Sequence, residues 1–151
     1  MKQNLTNAVN TKRIKVDGTN YTGAANTTDL TSEYVDTQGF EGARFICGFG
    51  AITSGAVTSV KVQQCDTSGG NYADLEGTGI TVADDDDNQI TVVEVYRPRE
   101  RYLKHVVDRG TQNAVIDFLI VELYGAIEQP VSADSMTVSQ EIHNSPAEGT
   151  A

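Results

Sequence analysis

The sequence predicts an all-β fold, an antiparallel β-sandwich with extended N- and C-terminal arms, and three observations predict it. Ala43, Phe45, Cys47 and Phe49 alternate with Arg44, Ile46 and Gly48, the period of two that sends successive side chains to opposite faces of a strand. Segments of this kind recur at a spacing of about 8–12 residues with Gly-rich turns between them, as in sandwiches and barrels. Helical periodicity is weak everywhere.

Taken in order, residues 1–11 are polar, rich in Asn and Thr, and read as an arm. Lys12-Arg13-Ile14-Lys15-Val16-Asp17 alternates and predicts a first strand. Residues 18–31 are Thr, Asn, Gly and Ala for the most part, which predicts a long loop with room for one short strand. Residues 33–36 predict a short strand ending at Gln38-Gly39. Residues 43–49 and 58–65 are clearer strands; in the second, Val60 and Val62 point one way and Lys61 and Gln63 the other. Small residues connect the two, and a hairpin about Ser54 would set Cys47 opposite Lys61 and Cys65 opposite Ala43. Residues 66–71 gather Asp, Ser, Gly-Gly and Asn into a strong turn signal.

Residues 80–82 make a short strand, and residues 89–96 are rich in β-branched side chains. Arg97-Pro98-Arg99-Glu100 ends that strand, since Pro98 offers no ladder N–H. Residues 101–107 and 113–124 follow, joined through Asp108-Arg109-Gly110-Thr111 as a hairpin turn. The last strand is apolar on both faces, with Ile116, Phe118 and Ile120 against Val115, Leu119, Val121 and Leu123. Such a strand sits centrally or covers an oligomer interface, so Phe118, Ile120 and Leu123 are candidates for core or oligomer contact. Its charges, Asp117 and Glu122, lie on opposite faces. From Glu128 the composition turns polar, punctuated by Gln129-Pro130 and Ser145-Pro146. Two readings stand for this stretch: a disordered tail, or an arm that orders against a neighbour. The domain plan is an arm over 1–11, a sandwich over 12–127 and a C-terminal arm or tail over 128–151.

At 151 residues the chain is one domain by length. A domain of this size buries roughly 68–70% of its unfolded surface, enough for a core without metal or disulfide. With 21 acidic and 11 basic residues the net charge is −10, which repels nucleic-acid phosphates and suits a partner with a basic surface. Residues 1–11 hold one Lys and no apolar signal core. The longest apolar segment, 114–126, is broken by Asp117 and Glu122 and falls short of the ~20 residues that cross a bilayer. The expectation is a protein made in the cytosol, touching neither nucleic acid nor membrane. Cys47 and Cys65, the only cysteines, are expected as free thiols, too far apart along the ladder to bond.

No motif points to catalysis with comparable clarity. Asp84-Asp85-Asp86-Asp87-Asn88 offers oxygen ligands for Ca²⁺ but lacks the D-x-D-x-D-G pattern and distal Glu of an EF-hand. A solvated loop that blocks edge pairing is the simpler reading. His105 and His143, the only histidines, have no H-x-x-H or C-x-x-C companions for zinc, and His105 reads as a packed or edge residue of its strand. There is no G-x-S-x-G elbow. Gly48-Phe49-Gly50 and Gly77-Thr78-Gly79 complete no phosphate-loop pattern. The expectation is therefore no enzyme, no metal and no cofactor. The concentrated positive charge is Arg97, Arg99 and Arg101 with Lys104, read either as a solvated turn partly paired with Glu100 or as a contact for an acidic patch on a protein partner. Arg97, Arg99 and Arg101, with Lys12 and Arg13 of the first strand, are the candidate partner-binding residues.

Three segments also carry a resemblance: Gly39-Phe40-Glu41-Gly42-Ala43-Arg44-Phe45, the run from Gly50 to Leu75 (GAITSGAVTSVKVQQCDTSGGNYADL), and Arg101-Tyr102-Leu103-Lys104-His105-Val106-Val107 with the apolar strand after it. Their order over residues 34–125 resembles small virion proteins encoded beside the major capsid protein of tailed phages. The chain departs from the family theme at Gln63-Gln64-Cys65-Asp66-Thr67, where an acidic step is usual. The resemblance implies a jelly-roll-like sandwich that decorates the capsid exterior as a cement protein, a dimer or trimer bridging capsomers, with the major capsid protein as partner. Competing expectations are a carbohydrate-binding virion module using Tyr21, Tyr72 or Tyr96 as sugar platforms, and a head–tail connector or tail component.

Overall fold

A computed structural model describes residues 4–21, 23, 25–133, 137–145 and 147–150. Residues 1–3 of the N-terminal arm and 134–136, 146 and 151 of the C-terminal one lie outside the described residues. One helical turn, α1 (Leu5–Ala8), precedes β1 (Asn10–Arg13), β2 (Lys15–Val16), β3 (Thr19–Asn20), β4 (Leu30–Thr31) and β5 (Val35–Asp36). The longer strands follow: β6 (Gly42–Ile52), β7 (Thr58–Cys65), the short β8 (Ala73–Asp74) and β9 (Ile80–Val82), then β10 (Ile90–Tyr96), β11 (Tyr102–Arg109) and β12 (Ala114–Tyr124).

The fold is an all-β sandwich of two antiparallel sheets. The first has the order β1-β12-β6-β10. In the second, β11 pairs with β4 and β5 on one side and with β7 on the other, and β8 and β9 lie beyond β7. From β6 onward the chain changes sheet four times, through residues 53–57, 83–89, 97–101 and 110–113. The core lies between the sheets. Phe45, Phe49, Ile116, Leu119, Val121 and Leu123 meet Val60, Val62, Leu103 and Val107, none more than 2% exposed. Burying each such side chain is worth about 1.5–3 kcal/mol, as an upper bound.

Three expectations need correction. The first strand runs over Asn10–Arg13, not 12–17. Asp17 and Gly18 both take positive φ, 51° and 78°, and close a two-residue hairpin between β2 and β3; Asp-Gly is the sequence signal for that turn. Secondly, β6 and β7 form no hairpin about Ser54, nor do β11 and β12 through residues 108–111, because each pair is divided between the two sheets. Cys47 stands in register with Thr91 and Leu119, and Cys65 with Tyr102. A turn signal marks a chain reversal but not the sheet that receives the next strand. Thirdly, two register irregularities between Ala114 and Phe118 break the alternation of β12, as bulges do. Ile116 therefore shares the inner face with Leu119, Val121 and Leu123, while Phe118 and Ile120 lie half-buried on the outer face.

Candidate functional site

Strand register decides which loops meet. Tyr124 pairs with Gly42, and Gly42 with Tyr96; Tyr102 pairs with Cys65 and Asp36. One end of the sandwich therefore gathers residues 37–41, 66–72 and 97–101 with the start of β1 and the chain beyond β12. The N- and C-terminal segments meet there. Val131 N donates to Asn7 O at 3.0 Å, and Asn10 Nδ2 donates to Ser132 O at 2.7 Å. Ile127 N, next to an exposed side chain, donates to Gly39 O at 2.9 Å.

The arginine turn is fixed at both ends. Arg97 N donates to Glu41 O at 2.7 Å, and Thr37 donates to Arg101 O through its N–H at 3.0 Å and its Oγ1 at 2.8 Å. Arg101 makes a two-pronged ion pair with Asp36, Nε to Oδ1 at 2.8 Å and Nη2 to Oδ2 at 2.6 Å. That hydrogen bonding, with the nearby charges of Arg101 and Lys12, holds the Asp36 carboxyl below its usual range. Arg97 extends over the Tyr96 ring, 5.0 Å from its centroid, and has φ of 50°, a left-handed conformation uncommon for a side chain of its size. Arg99 is exposed with no ion-pair or hydrogen-bond partner among the described residues. A shallow cavity of about 360 Å³ lies between this turn and Phe40. Of the other candidates, Lys12 pairs with buried Val121, and Arg13 is tied to Tyr21 O at 2.8 Å. Leu123 is core.

Five of the six tyrosines cluster at the same end, which sequence reasoning missed because they are scattered along the chain. Tyr34 meets Tyr102 edge to face at 5.3 Å, and Lys104 Nζ sits 4.3 Å above the Tyr72 ring. Tyr124 donates a short hydrogen bond to Glu94; burial first, then that bond, raises its pKa. As sugar platforms, Tyr72 and Tyr96 each have one face taken by a cation. Tyr21 lies at the opposite end, near Arg109 (Nη1 to Oη, 3.4 Å).

The remaining candidates serve the fold. Asp84 Oδ2 accepts from Gly55 N at 2.6 Å, Asp86 Oδ2 from Ala83 N at 2.9 Å and Asp87 Oδ1 from Ile52 N at 2.6 Å. Three of the four carboxylates thus brace the loop beside β6, while Asp85 stands exposed to solvent. Among the described residues no group of three His, Cys, Asp or Glu side chains could hold a metal ion. His105 is 1% exposed and stacks on Phe45, with centroids 5.4 Å apart; neither ring nitrogen has a hydrogen-bond partner among the described residues, and burial lowers its pKa to about 4. Both cysteines are free and buried, and burial pushes the Cys47 thiol up to about 12, away from the reactive thiolate. Among the described residues no helix is long and apolar enough to cross a membrane.

No protein-family model matches the chain, and no curated protein matches it significantly.

Proposed function

We propose that this chain is a non-catalytic structural protein of a phage particle, binding the outer surface of the capsid and stabilising it by bridging capsomers as a homo-oligomer. The observation that carries the reading is the meeting of both terminal segments, the arginine turn and five tyrosines at one end of a rigid sandwich. Tyr and Arg dominate the energetic centres of protein interfaces, and a turn held at both ends loses little conformational freedom on docking. The strand order supports a jelly roll: with the paired short segments counted as one strand, the sheets read 1-8-3-6 and 2-7-4-5, the arrangement of two Greek keys. The sequence resemblance supplies the capsid as partner.

A decoration protein acts by linkage. It binds the assembled lattice better than free subunits and so raises the apparent stability of the shell, and two attachments per oligomer raise the effective concentration of the second. Quantitative gel analysis of purified particles tests the reading. Hundreds of copies per particle are expected; a handful would indicate a connector or tail component, and absence would overturn any virion role.

A further inference from the structure

We propose that the open edge of β10 is a homodimer interface, where a second copy of this chain pairs its own β10 antiparallel across a two-fold axis at Val93. This rests on the preceding reading only in holding that copies associate; it requires no capsid.

The sandwich has four sheet edges, and three are blunted in ways that prevent pairing. β4 and β5 are two residues each, and β8 and β9 are two and three. β1 carries Lys12 and Arg13, and its first residue is tied to Ser132. β10 is different: seven residues, Ile-Thr-Val-Val-Glu-Val-Tyr, with no Pro, no basic residue and an uninterrupted register with β6. Gln89 O accepts from Phe49 N at 2.9 Å, and Arg97 N donates to Glu41 O at 2.7 Å. The odd-numbered residues between them therefore turn their polar backbone groups toward β6, and Ile90, Val92, Glu94 and Tyr96 turn theirs to the open edge. No described strand pairs with that edge. The side chains of the same four residues lie on the outer face, with Ile90, Val92 and Tyr96 at 59%, 39% and 56% exposure.

The strand is self-complementary. With the axis at Val93 the whole strand pairs, Ile90 stands opposite Tyr96 of the second copy, and Val92 stands opposite Glu94. Aromatic and aliphatic side chains directly opposite are a favourable cross-strand pair. A shift of two residues one way would set Glu94 against Glu94; two the other way would leave Tyr96 beyond the paired strands. Charge selects the same arrangement. The acidic run Asp84-Asp85-Asp86-Asp87 precedes β10, and Arg97, Arg99 and Arg101 follow it. Antiparallel pairing brings the acidic loop of each copy toward the arginine turn of the other, twice, whereas parallel pairing would align like with like. Asp85 and Arg99 have no hydrogen-bond or ion-pair partner among the described residues. For a chain of net charge −10, such matching offsets the general repulsion between copies.

Sedimentation equilibrium of the free, full-length chain tests this. A dimer is expected at up to roughly 100 µM, where even a Kd of about 10 µM leaves most chains paired. Val92→Pro removes an outward N–H without touching the β10–β6 ladder; it should remain folded by thermal melting and weaken the dimer at least tenfold. Arg99→Glu, on an exposed side chain, should weaken it several-fold, with recovery on adding Asp85→Arg. A wild-type monomer throughout, a trimer, or a dimer insensitive to every folded variant overturns the proposal. A foreign strand as the natural occupant would show as the first of these. An intact dimer absent from particles defeats the decoration reading alone; a monomer present on particles defeats this one alone.

Discussion

At the end of the sandwich where β6 leads into β7, acidic side chains point at the protein's own backbone: Asp84 at Gly55 N, Asp87 at Ile52 N and Asp29 at Arg109 N, each at 2.6 Å. At the opposite end Arg97, Arg99, Tyr34 and Tyr96 are exposed, and there it is the backbone of the arginine turn, held by Thr37 and Glu41, that is fixed. The two ends carry charge to different purposes. One satisfies loop and strand-end amides around three of the four sheet crossings, which would otherwise be left unpaired; the other, at the fourth crossing, holds side chains outward. Substitutions at the first end should therefore register as stability, and at the second as binding.

The largest effect is expected at Arg109, which is 2% exposed. Its Nε donates to Thr28 O at 2.6 Å and its Nη1 to Ala114 O at 3.2 Å, so it ties the chain before β4 to the start of β12. Arg109→Met leaves both carbonyls without these charged donors and loses packing. A loss of about 3 kcal/mol or more is expected in urea denaturation. A loss under about 1 kcal/mol would break the contrast, since that is the range of an ordinary surface change.

Arg109 also shows how far the sequence could be read. Within Asp108-Arg109-Gly110-Thr111 it resembles any turn residue, and its burial depends on loops that fold over it from about eighty positions away. The strands were legible because alternation is local: Ala43, Phe45, Cys47 and Phe49 fall on the buried face as their spacing predicts. Sheet membership was not legible at β6–β7 or β11–β12, because an apolar face is covered equally well by a strand beside it or one across the sandwich. The placement of Ile116 on the inner face, opposite to Phe118 and Ile120, depends on irregularities in β12 that no residue pattern announces. The meeting of Lys12 and Arg101 around Asp36, like the tyrosine cluster, is a product of topology.

Between the two ends lies a group that should move stability with pH. His105 titrates at about 4 in the fold against about 6.5 when unfolded. Its folded pKa is depressed, so between these values the unfolded chain binds the extra proton. The contribution is fully present above pH 6.5 and is lost as pH falls toward 4, by about 3 kcal/mol at most. Denaturation midpoints should decline across this window, and His105→Leu should flatten the decline. Asp36, with its carboxyl held below the usual range by Arg101, loses its contribution only at lower pH, as the unfolded carboxyl itself begins to protonate. An unchanged slope in His105→Leu would move the origin of acid sensitivity elsewhere.

The smallest stability effect, and the sharpest test of the contrast, is expected at Arg97. Its φ of 50° costs a side chain of this kind about 1 kcal/mol or more, a strain glycine does not carry. Arg97→Gly relieves that cost but gives the unfolded chain more freedom, worth about 0.5–1 kcal/mol in the other direction. The backbone N–H that donates to Glu41 O is kept. The net change in urea should therefore stay within about 0.5 kcal/mol, while, on the proposed capsid role, co-sedimentation with particles lacking the protein should weaken. If Arg97→Gly instead destabilised the fold and left co-sedimentation intact, the arginine end would be doing the same work as the acidic one.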